Sequence, residues 1–354
     1  MVNLQSVQAS NAALRSTISG QVALFVGATS GIAYHTLLEY AKNSSKPRVY
    51  IVGRNDTTLS KITAELKALN PEGTFLAIKS EISLLKNVDA ACEELKSKEK
   101  RLDLLLMCPG YLKIKPICKP PSISCLIVLI NNQDNADGLE DTVSLRYYVR
   151  ARFIQNLIPL LSAPPTSRVV SIHAAGYEGK LNESDLELAH SYSIRAAAIH
   201  TATMNTLALA EIAATHPSIS CLHIFPSLVL TKSLEDVLVE DWALPLRLLW
   251  VYVVLPIAKL FAVTLSESGQ RHLFHATSAR YKPTAKPGAG VPLQQGMTVA
   301  IGEDGREGTG CYILSYDGEP VGDQKLFDEY RKKEMGKKIW QHTEEVFDRV
   351  LSKS

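Results

Sequence analysis

The chain has 354 residues, 46% of them hydrophobic and 21% charged, with a formal net charge of +2. That length suits one large α/β domain with additions, or two small domains. So small a charge, with no sustained basic run, gives no ground to expect a nucleic-acid partner.

The first twenty residues, MVNLQSVQASNAALRSTISG, lack a long apolar stretch, so no secretory signal is expected and a cytoplasmic location follows. Residues 1–19 read as an N-terminal helix or arm. Apolar, β-branched runs then recur at 21–27, 48–53, 74–80, 101–108, 167–173 and 218–225, each with the character of a strand buried on both faces. Helix-like segments lie between them at 31–42, 56–69, 83–98, 138–162 and 196–215. This alternation predicts a Rossmann-like, doubly wound parallel sheet with helices on both sides. The six cysteines, Cys92, Cys108, Cys118, Cys125, Cys221 and Cys311, are scattered without metal-ligand spacing. They read as reduced, buried thiols, and no metal site is expected.

Two segments break the rhythm. Residues 113–135 are Pro-rich and then abruptly apolar. They admit a substrate-covering flap, a surface insertion, or retained intron sequence. Residues 243–263, ALPLRLLWVYVVLPIAKLFAV, have the length of a bilayer span, but Arg247, Lys259, Pro245 and Pro256 argue against one. An apolar lid over a binding pocket is the preferred reading, with peripheral membrane contact as the alternative. Beyond a Pro/Gly linker at 282–296, residues 297–315 read as a hairpin turning at GEDGREG. One or two amphipathic helices complete the chain. The expected layout is an arm (1–19), a dinucleotide-binding core (20–235), a lid with a late core helix (236–281) and a C-terminal hairpin/helix extension (282–354).

The chemistry begins at VGATSGIAYHT, residues 26–36. Gly27 and Gly31 bracket a tight strand-to-helix turn, which lets backbone N–H groups approach a pyrophosphate at the positive end of the helix. The next strand ends in VGRND, placing Arg54 where an acidic residue would select NAD. A guanidinium suits a ribose 2′-phosphate, so NADP(H) is the expected cofactor.

With these residues the chain resembles the short-chain dehydrogenase/reductase superfamily over about residues 20–280. GATSGIA is similar to its TGxxxGxG loop, so the resemblance implies cofactor contacts at Gly27, Thr29, Ser30, Gly31 and Ile32. It also implies Glu81 beside the adenine, Gly110 closing MCPG in the place of NNAG, and Thr231 in FPSLVLT in the place of PGxxxT, where Ser227 replaces the glycine. ESGQRHLFHATS resembles the late helix of retinol-dehydrogenase-like members. The overall layout resembles uncharacterised fungal members associated with secondary metabolism. The family often pairs through helices at the positions of 138–162 and 196–215, which implies a homodimer.

The family's reaction is hydride transfer, with a tyrosine moving the proton, a lysine lowering its pKa, a serine holding the substrate oxygen and an asparagine supporting a water relay. In this sequence the serine position falls on Ala174 and the asparagine position on Arg146. The tyrosine and lysine positions fall on Ala198 and Ala202; a looser register gives Tyr192 and Ala196. The tetrad is therefore degenerate.

Three readings follow. The first is an NADPH-dependent reductase acting on an apolar small molecule by another mechanism, with Arg146, Tyr192, His200 and His173 as candidates for the missing roles. The second is a non-redox cyclase, isomerase or dehydratase, which uses the fold to orient its substrate. The third is a catalytically silent nucleotide-binding protein.

Overall fold

Seven strands form one parallel sheet in the order β3-β2-β1-β4-β5-β6-β7. A computed structural model describes residues 2–110, 134–231, 248, 250–286 and 288–352. The strands are β1 (Val22–Val26), β2 (Arg48–Gly53), β3 (Thr74–Lys79), β4 (Leu104–Met107), β5 (Ser167–Ile172), β6 (Ile219–Phe225) and β7 (Cys311–Ser315). Period-two alternation divides their side chains between two cores: Val22, Leu24 and Val26 of β1 face one, and Ala23 and Phe25 face the other. Each face is covered by helices, as the continuous apolar strands require.

Helix α1 (Leu4–Thr17) precedes the sheet, and α2 (Gly31–Asn43), α3 (Asp56–Leu69) and α4 (Leu85–Lys98) follow the first three strands. After β4 come the short turn α5 (Asp141–Val143), a π-turn (Ser144–Tyr148) and α6 (Val149–Ser162), running without a break. Helix α7 (Ile194–Thr215) follows β5. Ser193 starts it by accepting from Ala196 N at 3.0 Å. Pro217 lies just past its end, where a helix could not continue. Its interior is apolar almost all round and buried, and Thr201 and Thr203 satisfy their hydroxyls on carbonyls one turn back, at 2.7 and 2.8 Å.

The remaining α-helices among the described residues are α8 (Leu255–Phe261), α9 (Leu265–Thr277), α10 (Gln324–Lys332) and α11 (Met335–Leu351). Helix α11 lies against α6 and α7: Tyr147 and Thr343 share a 2.6 Å hydroxyl contact, Tyr148 Oη meets His342 Nε2 at 3.1 Å, and Arg152 sits over the Phe347 ring.

The expected hairpin at 297–315 is corrected. Its second half is β7, paired in parallel with β6 from Cys221↔Cys311 to Phe225↔Ser315. Only an isolated bridge, Ile301↔Glu307, remains of an antiparallel pairing across the turn. The open edge of β6 offers a longer ladder than the local turn does.

Of the expected insertion at 113–135, residues 113–133 lie outside the described residues, as do 243–247 and 249 of the expected lid. The described part of the lid is a π-turn (Trp250–Val254) followed by α8. Tyr252 and Leu260 are 72% and 80% exposed there. The segment ends at Val263, whose N–H donates to Leu228 O at 2.9 Å and so ties it to the loop after β6. No helix among the described residues is long and apolar enough to cross a membrane.

Candidate active site

Strand order reverses between β1 and β4, and ligands of such sheets bind at the carboxyl ends of strands flanking that point. There the segments that follow β1 and β4 approach closely. A Cβ on Gly27 would stand 2.7 Å from Pro109 N and 2.8 Å from the Cys108 carbonyl, and the backbone of Gly27 has φ +76°. Gly31 has φ +64°, and its missing Cβ would touch Thr231 at 3.4 Å. Both positions therefore require glycine.

Ser30 occupies the N-cap of α2 without lending its side chain to the first turn, whereas Asn3, Asn55, Ser193 and Thr264 cap their helices. The leading N–H groups of α2 are left for an anion. They open onto a cleft of about 600 Å³ whose walls include Gly27, Thr29, Ser30, Arg54, Glu81 and Gly110. Ile32, one residue into α2, packs against the core, and Thr231 closes the loop beside Gly31. Arg54 reaches across the mouth, its Nη1 3.2 Å from Glu81 Oε2, with the side chains 71% and 46% exposed. A glycine cradle, an uncapped helix start and a guanidinium at the end of β2 together fit a phosphorylated dinucleotide.

The reaction end lies past β4 and β5. Ala174 follows β5 with no polar atom to offer, Ala198 is half-buried on α7, and Ala202 is buried within that helix. Arg146 sits in the π-turn, a feature that recurs at functional sites. Its carbonyl accepts from Asn205 Nδ2 at 2.8 Å, which fixes the turn against α7. Its guanidinium makes no hydrogen bond or ion pair with a described residue, and burial lowers its pKa.

Tyr192 and Glu140 are the charged or ionisable groups that favour the cationic form of Arg146. The Tyr192 hydroxyl lies 3.5 Å from that of Thr142, which donates to Glu140 Oε2 at 2.6 Å. That same oxygen accepts from Val143 N at 2.7 Å, while Glu140 Oε1 is buried without a partner. Burial, with Glu140 adding to it, holds the Tyr192 phenol above its ordinary pKa, so it is protonated at neutral pH.

His200 takes no part in this group. It is buried, its Nε2 accepts from Asn182 N at 2.9 Å, and burial keeps it neutral. Its position makes it a prop for the loop between β5 and α7. His173 also points elsewhere: it meets Thr201 Oγ1 at 3.0 Å and stacks on His223, with burial driving its pKa well down. His223 in turn closes an internal knot with Glu178 and Thr206, at 3.2 and 2.8 Å.

Sequence reasoning passed over Glu140, Thr142 and Arg150. Arg150 is 2% exposed and donates to Met107 O, Ser171 Oγ and Pro109 O at 3.1, 2.7 and 2.8 Å. Its position one turn after Arg146 on the same run of helix was the available signal.

Comparison with known proteins places this arrangement. Residues 21–122 match a family described as short chain dehydrogenase. An oxidoreductase of Emericella nidulans, AN1596, is 39% identical over 99% of both chains. The oxidoreductase andH of Emericella variicolor is 36% identical over 99% of this chain and 98% of its own. The short-chain dehydrogenase/reductase SAT2 of Stachybotrys chartarum is 27% identical over 100% of this chain and 99% of its own.

Among solved structures, L-sorbose reductase from Gluconobacter frateurii, complexed with NADPH and L-sorbose, shares the fold at TM-score 0.54 and 16% identity, over 86% of this chain and 97% of that one. An NADPH-bound carbonyl reductase from chicken fatty liver does so at 0.53 and 14%, over 86% of this chain and 100% of that one. The glycine cradle, the all-parallel sheet and the full-length fungal relatives agree, and the chain belongs to the short-chain dehydrogenase/reductase superfamily, among fungal oxidoreductases.

Proposed function

We propose that this chain is an NADP(H)-dependent reductase of an apolar small molecule, working without the family's Tyr/Lys pair. The observation that carries this reading is the pairing of a dinucleotide-shaped cleft with a reaction end furnished differently. The family resemblance puts alanines at the usual positions, and Arg146, unpaired among the described residues, and the protonated Tyr192 are the groups proposed to act in their stead. When bound, the dinucleotide supplies the hydride. Gly27, Gly31 and the start of α2 hold its phosphates, and Arg54 meets the 2′-phosphate.

Arg146 draws negative charge onto the accepting oxygen of the substrate as the carbon is reduced. Tyr192, which burial keeps protonated at neutral pH, is the group proposed to give its proton to the reduced oxygen. The Thr142 hydroxyl, held by Glu140, lies 3.5 Å from the phenol and positions it. The oxidoreductase names of the fungal relatives and the NADPH held by two structures of the same fold support this assignment.

The test is NADPH consumption with a panel of apolar quinones and enones, alongside calorimetric titration of NADPH. Tyr192→Phe is expected to lower kcat about a hundredfold with KM little changed. Failure to bind NADPH would remove the reading. The alanines at three positions favour a second reading, a cyclase, isomerase or dehydratase that uses the fold to orient its substrate. A product of unchanged oxidation state, formed without NADPH, would select it.

A further inference from the structure

The helical run α5–π-turn–α6 sets two guanidiniums, Arg146 and Arg150, four residues apart at the reaction end. Neither has a carboxylate partner. All three bonds of Arg150 go to neutral acceptors, two carbonyls and one hydroxyl, and its Nε has no partner. Arg146 is unpaired among the described residues. The histidine packed nearest them, His173, is neutral. Glu140 is the carboxylate felt by Arg146, and one of its oxygens is already committed to Thr142 and Val143. Glu178 is bound to His223 and Thr206 in the knot behind β5 and β6.

A pair of desolvated cations with one half-engaged carboxylate leaves a positive excess in a place of low dielectric. Such an arrangement costs stability in the free protein, and an anion with an apolar body relieves it. Arg146 has donors free in a planar fork, the geometry that recognises an ionised oxygen pair.

The geometry points to a substrate that enters as an anion: a lipophilic acid whose ionised enol or carboxylate oxygen rests on Arg146. The inference deepens the reductase reading and relies on it only for placing the nicotinamide at this end of the cleft. The class of substrate is therefore an acidic, largely apolar molecule, and a neutral ketone of the same shape is a poorer ligand.

The experiment is calorimetric titration of the full chain, saturated with NADP+, with 2-naphthoate, 2-naphthamide and the enolate-forming diketone dimedone. The expected result is naphthoate binding at least tenfold tighter than naphthamide. Arg146→Leu should abolish that preference, and Arg146→Lys should restore most of it. Dimedone separates the two sources of charge: binding above its own pKa that is lost in Arg146→Leu assigns an enolate, while preference for naphthoate alone assigns a carboxylate.

An unchanged NADP+ affinity and Tm in Arg146→Leu shows that the fold is intact. Equal affinity for naphthoate and naphthamide would overturn the inference, and so would a preference that survives in Arg146→Leu. Loss of NADP+ binding with naphthoate preference intact would instead overturn the cofactor assignment and leave this inference standing.

Discussion

Replacing Arg54 by alanine should weaken NADPH binding and leave NADH binding nearly unchanged. In the free protein Arg54 is held by Glu81 at 3.2 Å, but both side chains are largely in water. An ion pair of that kind is worth about 0.2–1 kcal/mol, so little is lost in turning the guanidinium toward a phosphate. Charge-assisted bonds to a 2′-phosphate contribute about 1.5–3 kcal/mol. The difference is about 1–2 kcal/mol, which corresponds to a loss of about 5- to 30-fold in affinity. NADH lacks the phosphate and has no contact to lose.

The restraint from Glu81 adds an opposite arm. Glu81→Gln releases the guanidinium and should tighten NADPH by up to about fivefold, the value of an exposed pair. Calorimetric titration of both cofactors into wild type, Arg54→Ala and Glu81→Gln reads all of these at once, and raised salt should shrink the NADPH effect. Equal weakening of NADPH and NADH in Arg54→Ala would refute the assignment of Arg54 to the 2′-phosphate.

Two further outcomes concern stability. Ser227 stands at φ +65°, in the place of the family's glycine, so Ser227→Gly should relieve a strain of about 1 kcal/mol, offset in part by the greater freedom of glycine in the unfolded chain. A rise in Tm of no more than about 3 °C is expected in a thermal melt, and a fall would show that the serine side chain does something the backbone argument omits. Burial raises the Glu303 carboxyl to about 7 from 4.5. The folded chain then keeps a proton that the unfolded chain releases, and stability contributed below pH 4.5 is lost as the pH rises through about 7. The loss is about 3 kcal/mol, the lowering by Arg331 being already contained in that value. Melts of Glu303→Gln should lack that decline between pH 5 and about 7; parallel declines in both proteins would place its source elsewhere.

The sheet was legible because strands buried on both faces leave unbroken apolar runs, and the helices because amphipathic segments separate them. The glycine loop was legible because Gly27 and Gly31 have no steric alternative. The hairpin at 297–315 was misread for a physical reason. GEDGREG is good turn chemistry, but the strand that pairs with CYILS lies some ninety residues upstream, and local pattern does not report non-local pairing. The π-turn at 144–148 left no trace in SLRYY, since one widened turn changes neither composition nor period appreciably. Among candidate residues, Arg146 was named from its position in the helix, whereas Glu140 and Thr142 come near Tyr192 only because the turn before α6 folds them back.

Helix α11 covers side chains that would otherwise be bare. It lies along α6 and α7, filling with Thr343, His342 and Phe347 the strip above Tyr147, Tyr148 and Arg152. The chain thus supplies from its own tail what a second subunit would otherwise lay on that strip. Shortening the chain before Met335 would bare Tyr147 and Tyr148, whose hydroxyls now meet Thr343 and His342.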